Sequence, residues 1–328
     1  MTTKILIIRF SSIGDIVLTT PIIRMAKEQI PNAEIHFLTK ASFASILEAN
    51  PYIDKCITIK DKIIEVIQEL RAEQYDFVVD LHNNIRTANV KRALKKPSKS
   101  FNKLNIEKWM LVNFKKDSLP RVHIVDRYLE TLSDFKIEND KKGLDYFLNE
   151  SDQVDLNALP KPFHSGYIGW VIGGSYFTKM LPTKKVIEIA RRTDKSIILL
   201  GGPEDREAGN EIVSRLGNKV YNSCGKYNLN QSASLVQQAD KILTNDTGLM
   251  HIAAAFNKNI LSFWGNTVPE FGMYPYMPEY PERSTIMEVE GLRCRPCSKL
   301  GYKNKCPKKH FHCMQLVDVD VVVDWVNS

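Results

Sequence analysis

The stretch Asn245-Asp246-Thr247-Gly248-Leu249-Met250-His251 is the most informative part of this chain for its fold. It follows the apolar run 241–244, which predicts a strand, and it opens a run to Ala255 that predicts a helix. A strand that ends in Asp-Thr-Gly and turns into a helix leaves unpaired backbone N–H groups pointing at one spot. Because such a spot attracts anions, most often a diphosphate, the stretch indicates an enzyme that acts on nucleotides or nucleotide sugars.

The same alternation of strand and helix runs outward from this stretch through most of the chain. Strands are predicted at 4–10, 34–39, 55–59, 76–81, 167–172, 196–200, near 220, at 241–244 and at 260–264. Helix-length amphipathic segments lie between them, among them a helix at 15–30 and a short one at 42–49. Such alternation predicts parallel sheets with helices on both faces. A polar stretch at 151–165, with prolines near its end, separates the two runs. We therefore expect two doubly wound α/β domains that face across a cleft.

The composition is that of a globular protein with more than one domain: 328 residues, 25% of them charged and 43% hydrophobic. No apolar stretch approaches the roughly 20 residues that span a bilayer, and the N-terminus lacks the features of a signal peptide. We therefore expect a cytoplasmic protein. The formal net charge of +7 favours an anionic partner.

The first predicted strand ends in Ser11-Ser12-Ile13-Gly14-Asp15. Gly14 allows a tight turn, and Asp15 then lies at the start of a helix. Asp15 is either a simple helix cap or a general base at the mouth of the first sheet, kept ionised by the helix dipole.

The first strand of the second half ends in a similar glycine-rich turn, Gly173-Gly174-Ser175, followed by Thr178 and Lys179. This turn either binds phosphate through backbone, hydroxyl and ammonium groups or is a surface turn with a solvated lysine. His251, which shares a helix face with Thr247, either contacts the phosphate or is structural. Asp246 would repel a diphosphate, so we expect it to cap the helix or to contact a hydroxyl.

Four of the six cysteines form a cluster in the sequence, at Cys294, Cys297, Cys306 and Cys313. In a cytosolic protein such a cluster suggests a metal more than disulfides. One CxxC pair with two irregularly spaced partners is compatible with zinc, with disulfides or with free thiols, and the sequence leaves these three possibilities open.

Residues 91–116 carry nine basic side chains and one acidic side chain, Glu107, with Phe101, Trp109, Met110 and Phe114 among them. This stretch is either a solvated face or a surface for an anionic, partly lipidic partner. No nucleic-acid-binding motif accompanies it, so we do not expect nucleic acid as a partner.

Taken in order, three motifs resemble glycosyltransferase family 9, the ADP-heptose:lipopolysaccharide heptosyltransferases. They are Ser11-Ser12-Ile13-Gly14-Asp15 with Thr19 and Pro21, Lys179 with Pro182, and Asp246-Thr247-Gly248 with His251. The resemblance covers nearly the whole chain. It implies the GT-B fold, two Rossmann-like domains facing across a cleft, here an acceptor-binding domain at 1–155 and a nucleotide-sugar-binding domain at 156–328. In this fold the last helix, at about 316–327, would cross back to the N-terminal domain.

The resemblance also implies a reaction: inverting transfer of heptose from ADP-heptose to a lipopolysaccharide core hydroxyl, or to a similar anionic glycolipid, with no required metal or cofactor. Asp15 matches the catalytic base and Lys179 the diphosphate-contacting lysine. Ser11, Ser12 and Gly14 fall on the acceptor side; the donor side comprises Gly174, Ser175, Thr178, Lys179, Asp246, Thr247, Gly248 and His251. The basic stretch would bring the enzyme to the inner face of the inner membrane. Two alternatives remain, a nucleotide-sugar epimerase or hydrolase of the same fold and a non-catalytic nucleotide-sugar-binding protein.

Overall fold

The computed structural model describes residues 2–328, which divide into two compact units. The first unit comprises the residues up to Leu104 together with Val122–Phe147, and the second comprises Asn105–Arg121 together with Leu148–Ser328. The chain thus enters the second unit before the expected boundary at 155/156. It also makes an earlier excursion into that unit at 105–121, which the sequence did not indicate.

The first unit contains a five-stranded parallel sheet in the order β3-β2-β1-β4-β5. Its strands are β1 (Thr3–Ile8), β2 (Ala33–Lys40), β3 (Lys55–Ile59), β4 (Phe77–Asp80) and β5 (Ser98–Ser100). Successive residues of a strand point to opposite faces of the sheet, and Ile5, Leu6, Ile7 and Ile8 of β1 are all fully buried. Both faces of this sheet are therefore covered, as the predicted doubly wound arrangement requires.

The helices of this unit begin with α1 (Ile13–Val17), α2 (Thr20–Gln29), α3 (Ile67–Ala72) and α4 (Ile85–Leu94). After the excursion helix α5 (Asn105–Phe114), which belongs to the second unit, the first unit adds α6 (Ile124–Leu129). The single helix predicted at 15–30 is divided in two, with Pro21 in the first turn of α2, a position that proline favours because its missing N–H has no partner there anyway. The short helix expected at 42–49 is a 3₁₀ segment, Ala41–Ile46.

The second unit contains a six-stranded parallel sheet in the order β11-β10-β9-β6-β7-β8. Its strands are β6 (Ile168–Val171), β7 (Ile197–Leu200), β8 (Val220–Asn222), β9 (Lys241–Asn245), β10 (Asn259–Trp264) and β11 (Ser284–Glu288). The predicted strands of this half are confirmed, and β11 is an additional one.

The remaining helices of the second unit are α7 (Thr183–Arg192), α8 (Arg206–Leu216), α9 (Leu229–Gln238), α10 (Gly248–Ala255), α11 (His312–Gln315) and α12 (Val319–Asn327). The valine-rich C-terminal segment is helical, as predicted. The helix α12 packs within the second unit: Val322 and Val326 are buried in the same core as Ile189 and Ala190 of α7. Its apolar face is thus used in the core of its own unit, and the crossing of this helix back to the N-terminal domain stays a prediction. None of the helices in residues 2–328 combines the length and apolarity needed to cross a bilayer.

Candidate active site

The turn Asp246–Gly248 lies where the strand order of the second sheet reverses. The strands β6 and β9 are neighbours in the sheet. The chain continues from β6 to β7 on one side of this pair, and from β9 to β10 on the other side. In open α/β sheets, ligands bind outside the carboxyl ends of the strands at such a switch point. The predicted anion-binding turn therefore occupies the position that the topology favours for a ligand.

The buried side chain of Asn245 fixes the ends of β6 and β9 to each other. Its Nδ2 donates to the carbonyl oxygens of Ile172 and Gly173, each at 3.1 Å, and its Oδ1 accepts from the backbone N of Leu181 at 3.1 Å. One amide thus holds together the two turns that the sequence predicted to bind phosphate. No role of the Asn245 side chain was predicted from the sequence.

Lys179 and Asp246 form an ion pair at this switch point. Lys179 Nζ lies 2.5 Å from Asp246 Oδ2, and the side chains are only 17% and 11% exposed. Thr267 Oγ1 donates to the same carboxylate oxygen at 2.9 Å. The contact of Asp246 with a hydroxyl is therefore observed, and its negative charge faces Lys179.

Thr247 caps the helix α10, with extended backbone immediately before Gly248. Its Oγ1 is buried and has no hydrogen-bond partner among the described residues. His251 lies one turn further along the same helix and is buried. The start of α10 thus combines free helix N–H groups with a hydroxyl that can still donate a hydrogen bond.

The glycine-rich turn after β6 leaves little room for side chains. A Cβ added at Gly173 would lie 2.0 Å from Asp205 Oδ2, and one at Gly174 would lie 3.2 Å from Met180 Cγ and 3.5 Å from the Thr247 methyl carbon. Burial raises the pKa of Asp205, whereas its hydrogen bond from the Gly202 backbone opposes that shift.

Ser175 and Thr178 differ in their environments. Ser175 is exposed, as a ligand-contacting hydroxyl can be. Thr178 is buried, and its Oγ1 accepts from the backbone N of Tyr302 at 2.8 Å. That hydroxyl serves the loop that carries Lys179, so it is not directed at a ligand.

Asp15 lies at the carboxyl edge of the first sheet, in the first turn of α1. Its Oδ2 accepts from Ser12 N at 3.1 Å and from Ser12 Oγ at 2.8 Å, and its Oδ1 lies 2.6 Å from Arg9 Nη2. Gly14 is buried beside it. Asp15 is thus not the N-cap itself, which is Ser12; it is the third residue of α1, and its carboxylate accepts from Ser12 in a capping box. The ion pair with Arg9 was not predicted from the sequence.

Arg9 is buried and held rigidly. Its Nε donates to the Ser11 carbonyl at 2.8 Å, and its Nη1 donates to Tyr128 Oη at 3.0 Å and to the Leu81 carbonyl. Burial alone would lower the pKa of Arg9, but Tyr128, Asp15 and Asp80 raise it above its usual value. A fixed guanidinium therefore accompanies the Asp15 carboxylate.

The first sheet also reverses its strand order, between β1 and β4, and Asp15 and His82 both follow these two strands. The His82 ring lies 5.2 Å from the Phe10 ring, and its Nδ1 is buried without a hydrogen-bond partner among the described residues. Burial, with the charges of Arg9, Lys103 and Arg86, lowers the pKa of His82 to about 4. A neutral imidazole thus lies near the carboxylate, and the sequence analysis did not single it out.

The basic stretch 91–116 is divided between the two units and is not one surface. Several of its lysines are engaged: Lys91 Nζ lies 2.9 Å from Asp80 Oδ2, Lys99 Nζ lies 2.5 Å from Asp134 Oδ1, and Lys108 is buried with its ammonium 5.6 Å from the centre of the Phe271 ring. The part in the second unit, α5, exposes the apolar side chains Ile106, Trp109 and Phe114.

The comparisons with known proteins agree on one family. The sequence profile of glycosyltransferase family 9 (heptosyltransferase) matches residues 63–308. The chain belongs to glycosyltransferase family 9.

Relatives within family 9 are similar over most of this chain. Lipooligosaccharide heptosyltransferase 2 of Haemophilus influenzae is 26% identical, with 91% of this chain and 93% of that protein covered. Lipopolysaccharide heptosyltransferase 2 of Escherichia coli K12 is 25% identical, with 82% and 84% covered. The chain is a glycosyltransferase, and the epimerase, hydrolase and non-catalytic alternatives are not favoured.

Solved family 9 structures share its fold. A family 9 glycosyltransferase from Veillonella parvula aligns with a TM-score of 0.70 at 23% identity, covering 87% of this chain and 84% of that one. The ADP-heptose lipopolysaccharide heptosyltransferase II of E. coli aligns with a TM-score of 0.70 at 20% identity, covering 99% and 100%. The expected GT-B fold, built from two Rossmann-like domains, is confirmed.

Asn266 and Thr267, in the turn after β10, are two further residues that the sequence analysis missed. Both are buried, and neither side-chain polar atom of Asn266 has a hydrogen-bond partner among the described residues. Buried amides are rarely left unpaired. No sequence motif marks this turn, but its place directly after a strand next to β9 could have indicated it.

Proposed function

We propose that this family 9 glycosyltransferase transfers heptose from ADP-heptose to a hydroxyl of the lipopolysaccharide core, with inversion at the anomeric carbon. The curated relatives are named for heptosyl transfer to lipopolysaccharide or lipooligosaccharide, and a solved relative is named for ADP-heptose. The observation that carries the proposal is the Lys179–Asp246 pair beside the start of α10, at the switch point of the second sheet.

The second unit binds the donor diphosphate in this proposal. The first N–H groups of α10 and the Thr247 hydroxyl donate to phosphate oxygens, as helix starts commonly do. Lys179 supplies the positive charge, and Asp246 with Thr267 fixes the position of its ammonium group. Gly174 lets the donor approach the backbone, and Ser175, Gly248 and His251 complete the donor side.

The first unit binds the acceptor and supplies the base. The acceptor hydroxyl gives its proton to the Asp15 carboxylate as its oxygen bonds to the anomeric carbon, and the bond from that carbon to the diphosphate oxygen breaks. Ser12 and Arg9 hold the carboxylate in place, and Ser11 and Gly14 shape the turn. General-base catalysis of this kind contributes on the order of 10²–10⁴-fold in rate.

Departure of ADP needs no metal or cofactor in this scheme. Negative charge develops on the leaving diphosphate, and fixed donors aimed at that charge stabilise the transition state. Each charge-assisted hydrogen bond contributes about 1.5–3 kcal/mol. The ammonium of Lys179 and the N–H groups of α10 fill the role that a divalent cation fills in metal-dependent transferases.

The helix α5 supports a peripheral contact with an anionic membrane, the surface that holds a lipid-linked acceptor. Trp109 and Phe114 are 54% and 62% exposed, and their rings are 5.2 Å apart. Lys115 and Lys116 follow them directly. Exposed aromatic side chains beside lysines are typical of segments that lie at an anionic lipid surface.

The test is a transfer assay with ADP-heptose and a heptose-deficient lipopolysaccharide core, with products identified by mass spectrometry. We expect one added heptose and one ADP per turnover. A reaction without acceptor that yields free heptose and ADP, or an epimerised nucleotide sugar, would establish the alternative activities. Preferential use of a donor sugar other than heptose would rule out heptose transfer and leave only glycosyl transfer of another sugar.

A further inference from the structure

Arg86 lies at the same edge of the first sheet as Asp15. It is the second residue of α4, which follows β4, whereas Asp15 follows the neighbouring strand β1. The guanidinium carbon of Arg86 lies 5.1 Å from the centre of the Phe10 ring, and the His82 ring lies 5.2 Å from that ring. Phe10 directly follows Arg9, the partner of Asp15. A buried aromatic ring thus seats a second guanidinium against the turn that carries Asp15.

Arg86 has no carboxylate partner. Among residues 2–328 its side chain forms no ion pair and no hydrogen bond, and its guanidinium lies over the Phe10 ring instead. Three other cations of this unit show the usual arrangement: Arg9 pairs with Asp15, Arg24 with Asp140, and Lys91 with Asp80. Because Arg86 is half-buried, water compensates its charge only in part.

The position of Arg86 in its helix is also unfavourable for a cation. The first turn of a helix is the positive end of the helix dipole, and it favours anionic side chains. The first turn of α4 contains no acidic side chain, and Arg86 adds a positive charge to it. Natural sequences break such local rules mainly at functional sites. A bound anion would relieve the repulsion and give the guanidinium the partner that it lacks.

The turn before α4 holds the backbone of Arg86 in place. Asp80 Oδ1 accepts from the backbone N of Asn83 at 2.6 Å. Asn84 then caps α4: its side chain accepts from Thr87 N at 3.0 Å, and Thr87 Oγ1 accepts from Asn84 N at 2.9 Å. Because the backbone is already ordered, a ligand that binds at Arg86 pays little for ordering it.

The other positive groups at this edge are less available to a ligand. Arg9 is buried, and its Nε, Nη1 and Nη2 are all bonded within the protein. His82 is neutral, because burial and the charges of Arg9, Lys103 and Arg86 lower its pKa to about 4. Lys103 adds to the positive potential around Arg86. Arg86 is therefore the guanidinium that an anion would meet first at this edge.

We propose that Arg86 binds an anionic group, a carboxylate or a phosphate, on the acceptor sugar whose hydroxyl reacts at Asp15. A guanidinium presents a planar pair of N–H donors that matches two oxygens of either group. Binding at Arg86 orients the acceptor, so that one of its hydroxyls faces the Asp15 carboxylate. Arg86 then determines specificity, because it selects acceptors with a negative charge near the reacting hydroxyl. This inference rests on the proposed function, in which the acceptor binds to the first unit.

The experiment measures, by calorimetry with the full-length protein, the binding of a soluble core fragment released from heptose-deficient lipopolysaccharide. The fragment is used in three forms: untreated, with its carboxylates converted to methyl esters, and after phosphatase treatment. The wild type should bind at least one treated form about tenfold to a hundredfold more weakly than the untreated form, and that form identifies the anionic group. Arg86→Gln should bind the untreated fragment more weakly by a similar factor and should no longer respond to the same treatment.

Two further variants separate a ligand contact from a structural role. Arg86→Lys keeps the charge without the planar pair of donors, so its affinity should lie between those of the wild type and Arg86→Gln. Arg92→Gln removes an exposed arginine of the same helix, which donates to Asn89 Oδ1 at 2.9 Å, and it should bind like the wild type. The melting temperature of Arg86→Gln should be close to that of the wild type, because Arg86 has no ion-pair partner to lose. The comparison of the three fragment forms needs no variant, so a misfolded variant would not obscure the result.

Two outcomes would overturn the inference: equal affinity of the wild type for all three fragment forms, and wild-type affinity of Arg86→Gln for the untreated fragment. Heptose transfer is assayed separately on the same samples. Binding that depends on Arg86 but leads to no transfer would contradict the proposed function and leave the Arg86 site in place. Transfer that is equally efficient with all three forms would contradict this inference alone.

Discussion

Lys179 Nζ lies 2.5 Å from Asp246 Oδ2, which joins the glycine-rich turn after β6 to the turn before α10. The pair is mostly buried and nearly neutral as a unit. If the diphosphate binds here, as proposed, it meets an ammonium group whose position a carboxylate already fixes. Preorganised charge of this kind stabilises a transition state without reorganisation during the reaction.

Replacing Lys179 by alanine should weaken ADP binding by about tenfold to a hundredfold, the equivalent of one charge-assisted hydrogen bond. It should also lower the melting temperature, because Asp246 is left buried without its cation. The double variant Lys179→Ala/Asp246→Asn should recover the melting temperature but not the ADP affinity. Calorimetry with ADP and a thermal melt separate the two effects.

The matched control is Lys185→Ala, which removes a lysine of the same unit that pairs with Glu188 at 3.3 Å. Its ADP affinity should equal that of the wild type. Unchanged ADP affinity in Lys179→Ala would remove this lysine from the donor site.

Asp15→Asn should reduce kcat by on the order of 10²–10⁴-fold and leave ADP affinity unchanged, because the amide cannot accept the acceptor's proton. Ser12→Ala should have a smaller effect, since it removes one hydrogen bond to the carboxylate and leaves Arg9 in place. Steady-state kinetics and ADP calorimetry on the same samples provide the comparison. Turnover of Asp15→Asn near the wild-type rate would rule out the base role.

Both switch-point turns could be predicted from the sequence, because each one is a local pattern of apolar strand, small residue and helix start. Asp15 and the 246–248 turn were found in this way. Thr267, the partner of Asp246, could not be found in this way because it is distant in the sequence, and the same holds for Tyr128, which holds the Arg9 side chain beside Asp15. The excursion at 105–121 was missed for the same reason: its lysines suggested a solvated face, and Lys108 is in fact buried.

His82 should make the stability of the first unit depend on pH. Its pKa is about 4 in the folded protein against an ordinary 6.5, so the unfolded chain takes up the proton first as the pH falls. Above pH 6.5 the residue contributes nothing to the free energy of unfolding. Between pH 6.5 and 4 it should lower that free energy, by less than the roughly 3 kcal/mol of the full shift, because the ring is partly exposed to solvent. Hydrogen bonds with Lys4 and Lys55 lower the pKa of Glu73 to about 2. The stability that Glu73 contributes is therefore also lost as the pH falls, but at lower pH than for His82.

The measurement is chemical denaturation at several pH values for the wild type and His82→Phe. The variant keeps an aromatic ring beside Phe10 and cannot be protonated, so it should lose less stability than the wild type between pH 6.5 and 4. Parallel curves for the two proteins would show that His82 is not buried as a neutral group.

The exposed aromatic edge of α5 should anchor the enzyme to anionic lipid. The double variant Trp109→Ser/Phe114→Ser should bind vesicles containing phosphatidylglycerol at least tenfold more weakly than the wild type, because two amphipathic rings leave the interface. Val321→Ser, which removes another exposed apolar side chain of the same unit, is the matched control and should bind normally. Transfer to a soluble acceptor fragment should be unaffected in both variants, since α5 contributes no residue to the donor or acceptor turns. Equal vesicle binding by the wild type and the double variant would show that α5 is an ordinary solvated surface. Loss of binding by Val321→Ser as well would show that the effect is not specific to this helix.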